Sequence, residues 1–542
     1  MNRLLKVVAL VGALFAGITT ADACTNFIVT RGASTDGSNM VTYAADSHGL
    51  YGSLYQYIPG KFTEWMDVTE WDTGRYIGKI KQAPVTYRTL GNSNEHSLFI
   101  TETTFGGRPE LEDPKGGIDY GSLIYITLQR AKTAREAIDI IVELANTYGY
   151  CSSGESFSLI DQKEAWIMEL IGKGPEDKGI VWVARRIPDG YVSAHANQAR
   201  ITTFPWNDPE NCIYAPDVAD VARKFGWFEG EDKDFSFADA YAPLDFGAMR
   251  GCEARVWAFF RTVADDMDQY EDYAMGHNPN NRMPLWVMPR EKVSPKLLMD
   301  CMRDHYEGTK MDMTSDIGAG GEGCPYRWRP MYFTVDGVEY CNERATATQQ
   351  TGFWLVGQAR PEKVGILWFG TDDAATSPLT PIYVNSLEVP EALKEGNGSM
   401  LEYSDTAMFW VTNRVAQFAY LRYNIVGKHV REEVDAWENA MIEAVNGMDT
   451  ALAQISNCKK ARKVATNFTV ATAQKLFNKW VELDKYLMVK YIDGNVKCEE
   501  NGKFIDNGNG KDIPGKILQP GYTENWKRAV AADKGEILKV VK

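Results

Sequence analysis

Nine cysteines are spread along the 542-residue chain, and one of them, Cys24, follows Ala21-Asp22-Ala23, a triplet that fits the small-x-small rule for signal cleavage. A cut after Ala23 would leave a thiol and a free α-amine on a single residue. The unperturbed thiol titrates near ~8.5, so attack at neutral pH needs a base to take its proton. An α-amine, at about 7.7–8.0, is matched to that task, whereas a lysine at about 10.4 is worse by about 2.5 units. Covalent geometry already holds this amine beside the sulfur. Cys24 would therefore be nucleophile and general base at once, which is the chemistry of breaking an amide.

Rival readings of the same residues stay open. Cys24 could be an acylated lipoprotein cysteine, but such a site usually carries Leu three residues before the Cys and a small residue two before, and those places hold Ala21 and Asp22. It could instead be tied in a disulfide. A Cys-His enzyme would draw on His48, His96, His195, His277, His305 or His429, of which His195, in S-A-H-A-N-Q, has the best setting. The other eight cysteines permit disulfides in an exported protein, Cys324 with Cys341 and Cys458 with Cys498 being the local pairs, or they are buried free thiols. No C-x-x-C pair or H-E-x-x-H occurs, so neither a metal nor a cofactor is implied. The D-N-G-N-G-K-D stretch from Asp506 to Asp512 has glycines where calcium ligands would be needed and reads as a turn.

Residues 1–23 read as an export signal. Arg3 and Lys6 supply the positive end, and the apolar run Val7 to Ile18 is 12 residues long. That is too short to span a bilayer, which takes about 20. No later stretch is long and apolar enough either, so stable membrane insertion is not expected, and export would end in the periplasm or outside the cell. Composition, at 44% hydrophobic and 24% charged residues, is that of a globular protein with a large core. With 58 basic against 73 acidic residues and no basic stripe, nucleic acid is a poor partner. Composition fixes no oligomeric state.

The elements that must position Cys24 begin with a hairpin. Thr25 to Thr30 has strand composition, Ala33 to Asn39 is dense in turn formers, and Met40 to Ala45 is again apolar. A turn on Asp36-Gly37 brings Cys24 opposite roughly residues 46 to 49, within reach of Asp46. Further strands are expected at Ser97 to Thr103, Ser156 to Ile160, Ala165 to Ile171, Gly179 to Arg185, Gly190 to His195, Met331 to Val338, Gly352 to Val356 and Val364 to Phe369. One helix is expected over Tyr125 to Tyr148, with Ala134, Ile138, Ile141 and Leu144 on one face. Strands clustered in sequence point to an α+β fold. Long helices follow at Thr406 to Val426, Glu432 to Ile455 and Thr469 to Tyr491, so the chain divides into residues 1–23, 24–385 and a mainly helical 386–542 packed on the strand-rich part.

The start C-T-N-F-I-V-T-R-G-A-S-T-D-G-S-N-M, Cys24 to Met40, resembles the opening of PepD-type dipeptidases, relatives of the secernins among the N-terminal-nucleophile hydrolases. The same resemblance is carried by G-N-S-N-E-H from Gly91, G-E-S-F-S from Gly154, E-A-W-I-M-E from Glu164, H-A-N-Q-A-R-I from His195, C-E-A-R-V-W from Cys252, T-Q-Q-T-G-F-W from Thr348 and I-L-W-F-G from Ile366. It implies a four-layer αββα sandwich and hydrolysis of short peptides, chiefly dipeptides. Carried over by position, it makes Cys24 nucleophile and base, Asp46 the holder of the amine, and Asn197 the oxyanion donor. It makes Asn94 a positioner of substrate or oxyanion, and Arg255 a support for the thiolate field.

One departure stands out. Many members have arginine three residues before the aspartate, whereas T-Y-A-A-D puts Tyr43 there, and a phenol cannot supply a fixed positive charge. Arg200 or Arg250 could compensate. Each assignment also has a plain alternative: Asp46 capping a turn, Asn94 in an αL loop, Asn197 satisfying backbone groups, Arg255 in a surface ion pair, Glu155 and Glu169 exposed. Two other functions remain open at this level. One is hydrolysis of N-acyl amides, as in the bile salt and penicillin acylases; the other is a non-catalytic exported binding protein whose 15 Trp and 26 Tyr stack on carbohydrate.

Overall fold

A computed structural model describes residues 24–542. The proposed export signal, residues 1–23, lies outside the described residues.

Two large antiparallel sheets lie face to face. The first has seven strands, in spatial order Trp286–Val287, Val192–His195, Asn26–Val29, Asn39–Asp46, Thr351–Ala359, Ile366–Thr371 and Thr380–Tyr383. The second has eight: Cys212–Tyr214, Ile180–Arg186, Ala165–Gly172, Gly154–Ile160, Phe99–Gly106, Ser93–Asn94, Thr89–Leu90 and Gln56–Tyr57. The Asn26–Val29 and Asn39–Asp46 strands pack on the Phe99–Gly106 strand of the opposite sheet. Helices Tyr120–Leu128 and Ala134–Tyr148 cover the second sheet. The outer face of the first carries Ala254–Val263, Pro295–Cys301, Met408–Tyr420, Lys428–Ala453 and Cys458–Tyr491. This is the expected α+β arrangement in αββα layers. Covering both faces explains why every residue of Asn39–Asp46, Thr351–Ala359 and Ile366–Thr371 is buried, where an antiparallel sheet with one wet face would alternate.

Register places the site. Ile28 pairs with Val41 and Thr25 bridges Ala44, so Cys24 falls opposite Ala45, one residue short of the expected 46 to 49, with Asp46 next along. On its other side the strand pairs Asn26 with His195, and continuing that register sets Asn197 against Cys24. Phe27 stacks on Phe259 of the Ala254–Val263 helix, ring centroids 4.2 Å apart and 7° from parallel, a pair that adds about 0.5–1.5 kcal/mol beyond its buried area. Arg255 lies one turn before Phe259 and so meets the same strand.

Several expectations need correction. The single helix over Tyr125 to Tyr148 is two, because Thr133 and Glu136 form a T-x-x-E start: the Thr133 side chain accepts from the Glu136 N–H and opens a new helix there. Met331 to Val338 is an exposed hairpin of Tyr332–Val335 with Val338–Cys341, turning on Asp336 and Gly337 at φ 50° and 79°, the positive pair that a tight hairpin needs. The third C-terminal helix begins at Cys458, capped by Asn457, eleven residues before the expected Thr469. All nine cysteines are free thiols. Cys458 and Cys498 stand at opposite ends of this 34-residue helix, which is about 50 Å long, and seven further residues cannot return the chain to disulfide range.

Candidate active site

Cys24 enters the sheet at the start of its strand and is only 4% exposed. Its Sγ lies 3.4 Å from Glu102 Oε1 and 3.8 Å from the Tyr43 hydroxyl, and the backbone N–H of Asp46 donates to it. Burial, then the charges of Glu102 and Asp46, push the thiol well above its ordinary pKa. In the 542-residue chain Ala23 is still joined to Cys24, so the nitrogen beside this thiol is an amide and supplies no base.

Asp46 is fully buried. Its Oδ1 accepts from Thr351 Oγ1 at 2.6 Å, its Oδ2 is ion-paired with Arg344, and its carbonyl accepts from Gln350 at 3.2 Å. Arg344 is thus the cation that meets Asp46. The suggested substitutes are committed elsewhere, Arg200 to Glu253 at 2.9 Å and Arg250 to Glu343 at 2.6 Å. Tyr43 itself donates its hydroxyl to Glu102 Oε1.

Arg255 is buried, not part of a surface ion pair. Its Nε donates to the Gly251 carbonyl, Nη1 to the Cys24 carbonyl and Thr25 Oγ1, and Nη2 to the Ala196 carbonyl and Asn197 Oδ1. A guanidinium has five N–H donors, and all five are used. Arg255 therefore ties Cys24 and Thr25, just ahead of the strand, to the loop opposite through their carbonyl and hydroxyl oxygens and not through the Cys24 sulfur. Asn197 sits in that loop at φ 61°, a conformation asparagine tolerates, with its Nδ2 donating to the Thr104 carbonyl at 2.7 Å.

Asn94 is a correction. Its Nδ2 donates to the Leu128 and Ala131 carbonyls, both at 2.8 Å, and its Oδ1 accepts from the His96 and Leu98 N–H groups. Two donors and two lone pairs are thereby filled, so Asn94 fixes the link between strands and helices and has nothing left for a substrate. His195 does not serve Cys24 either. It lies between Thr103 and Ser158 at 2.7 and 2.6 Å, and burial, with Arg200 nearby, pulls its pKa down to about 3. It is a neutral imidazole inside a polar seam between the sheets.

Glu155 and Glu169 are fully buried, against the expectation that they are exposed. Glu169 accepts from the N–H groups of Arg200 and Ile201, which anchors the chain just after Asn197; burial raises its pKa to about 7. Glu155 accepts from Thr104 Oγ1 at 3.0 Å, and burial, then Glu102, hold its carboxyl well above the usual range. Sequence reasoning missed Glu102 and Arg344. The first had a signal: a carboxylate inside the strand-forming run from Ser97 to Thr103, where both faces are covered. Arg344 had none, being 298 residues from Asp46.

The sequence model described as peptidase family C69 matches residues 53–436. A protein of Salmonella dublin named "Probable dipeptidase" is 26% identical over 309 residues, 54% of this chain and 68% of its own. "Probable dipeptidase B" of Streptococcus pyogenes serotype M1 is 22% identical over 486 residues, 86% of this chain and 93% of its own. Penicillin V acylase from Agrobacterium tumefaciens aligns in three dimensions over 70% of this chain and 94% of its own, at 12% identity and a TM-score of 0.28, too loose to bear on the site.

Proposed function

The chain belongs to peptidase family C69 and is a peptide hydrolase; on that premise we propose that it is an exported, N-terminal-nucleophile cysteine dipeptidase, activated when the bond between Ala23 and Cys24 is cut. The observation that carries this reading is the convergence on Cys24 of Asp46 from one neighbouring strand, Asn197 from the loop that follows the other and Arg255 from the helix behind. Cutting converts the Cys24 nitrogen from an amide into an amine titrating near ~7.7–8.0. That change adds the missing base, and in its protonated form a cation, beside a thiol that burial and two carboxylates otherwise keep protonated. Asp46, held by Arg344 and Thr351, orients the amine.

The amine takes the thiol proton and sulfur attacks the peptide carbonyl. Asn197 donates to the oxyanion, the amine returns the proton to the departing amino group, and water releases the acyl-enzyme. Arg255 is a positioning residue, and Asn94 is outside the machinery. The test is the mature protein. Its terminal residue, read by mass spectrometry, should be Cys24, and it should split dipeptides. A preparation that keeps Ala23 and is fully active overturns the reading, because one extra residue moves the amine by about 3.8 Å.

A further inference from the structure

Resting on that dipeptidase reading, we propose that the Glu102–Glu155 carboxyl pair is the binding site for the free α-ammonium group of the substrate, and so the element that restricts the enzyme to unblocked peptides.

The placement follows from strand register. Phe99–Gly106 pairs with Gly154–Ile160 so that Glu102 opposes Phe157 and Thr104 opposes Glu155. Glu102 and Glu155 are thus diagonal neighbours on one sheet face, close enough for their carboxyl groups to meet. Both are fully buried. Among the described residues no N–H or hydroxyl group donates to Glu155 Oε1, whose carboxyl instead meets that of Glu102, and Glu155 belongs to no ion pair. Burying a carboxyl group this way is costly unless something compensates it.

Substrate geometry supplies the compensation. In an amino-terminal residue the α-nitrogen lies about 2.5 Å from the carbonyl carbon that sulfur attacks. In a near-attack arrangement that carbon lies about 3–3.5 Å from sulfur. The ammonium must then fall within about 6 Å of Sγ, and Glu102 Oε1, at 3.4 Å, lies inside that radius. A side-chain ammonium, four carbons further out, reaches past it. The two amines at the site therefore have separate holders, Asp46 for that of Cys24 and the glutamate pair for that of the substrate. A bound ammonium also offsets the negative charge that raises the thiol. An N-acyl substrate places a neutral amide where the ammonium would be, so it brings no positive charge to the pair and its acyl group has to be fitted beside the two carboxyl groups.

The experiment labels Cys24 of the processed protein with alanine chloromethyl ketone and with its N-acetyl form. Sulfur displaces chloride in both, and the rates are read by mass and normalised to iodoacetamide. The free-amine reagent should react about 100-fold faster, and Glu155→Gln should bring that ratio to about 10 or less. A wild-type ratio near one, a ratio unchanged by Glu155→Gln, or no labelling by either reagent overturns the proposal. Turnover is scored separately. Amine-dependent labelling without dipeptide hydrolysis leaves the subsite standing and sinks the dipeptidase reading, and hydrolysis with amine-independent labelling does the reverse.

Discussion

Two clusters of buried or half-buried carboxylates lie on opposite sides of the first sheet, and they are built on opposite principles. Beneath the Lys428–Ala453 helix, Asp300, Asp435 and Glu438 bring oxygens within 4.8 Å of one another, a spacing that a cation could exploit. Three cations of the chain already hold them. Lys296 reaches all three, Arg303 binds Glu438 at 2.5 Å and Asp300 at 3.2 Å, and Arg431 binds Asp435 at 3.0 Å and also Asp300. Positive and negative groups number three each, so this cluster fastens the Lys428–Ala453 helix to the Pro295–Cys301 helix and the turn after it. Next to Glu102, the carboxyl that borders the Cys24 sulfur, Glu155 has one hydroxyl donor and no cation among the described residues. Charge neutralised by the chain itself marks architecture; charge left for something outside the chain marks a site.

The largest effect separates the two at once. Cys24→Ala should cut dipeptide turnover about 10^4-fold or more while the unfolding midpoint barely moves. A variant that keeps a tenth of wild-type turnover would dissolve the distinction. On the paired side the effect should fall on stability alone. Glu438→Ala strands the Arg303 guanidinium in the core and should cost about 3–5 kcal/mol in a denaturant titration, with kcat/KM per folded molecule unchanged. Loss of activity without loss of stability would show that the helical cluster reaches the cleft. Asn197→Gly keeps the φ 61° backbone comfortable and removes only the side chain. It should lower kcat about 10²–10³-fold with little change in KM; a change confined to KM would remove Asn197 from the oxyanion.

What was legible in the sequence divides along the same line. The hairpin after Cys24 could be read from local composition, and the hairpin register brings Asp46 to the sulfur. Asn197 and Arg255 came from resemblance, and the structure gives the reason they belong together: one guanidinium spans both strand ends. The partners that set the charge could not be read. Arg344 meets Asp46 across 298 residues, and no local pattern encodes a contact of that separation. Glu102 and Glu155 looked like ordinary polar positions because alternation assumes one wet sheet face, and here both are covered. The five short strands between Gln56 and Asn94 escaped notice for a related reason, since four of them have only two to five residues and are fixed by tertiary pairing.

The smallest expected effect is a difference in sign. Burial and Glu102 hold the Glu155 carboxyl above the usual range, so the folded protein keeps a proton that the unfolded chain releases above about 4.3. Stability from this group is complete at lower pH and is lost as pH rises from there through the raised value. Asp435 runs the other way. Burial pushes its carboxyl up, but Arg431 and Lys296 outweigh it and hold the group below the usual range. Its contribution is complete above about 3.9 and is lost only as pH falls below that. Urea titrations at pH 5 and pH 8 should therefore show Glu155→Gln gaining on the wild type across the interval. Asp435→Asn should stay below the wild type by the same amount at both. Equal slopes for the two variants would mean that Glu155 has a cation after all, and the contrast between a self-neutralised cluster and one waiting for its substrate would fail.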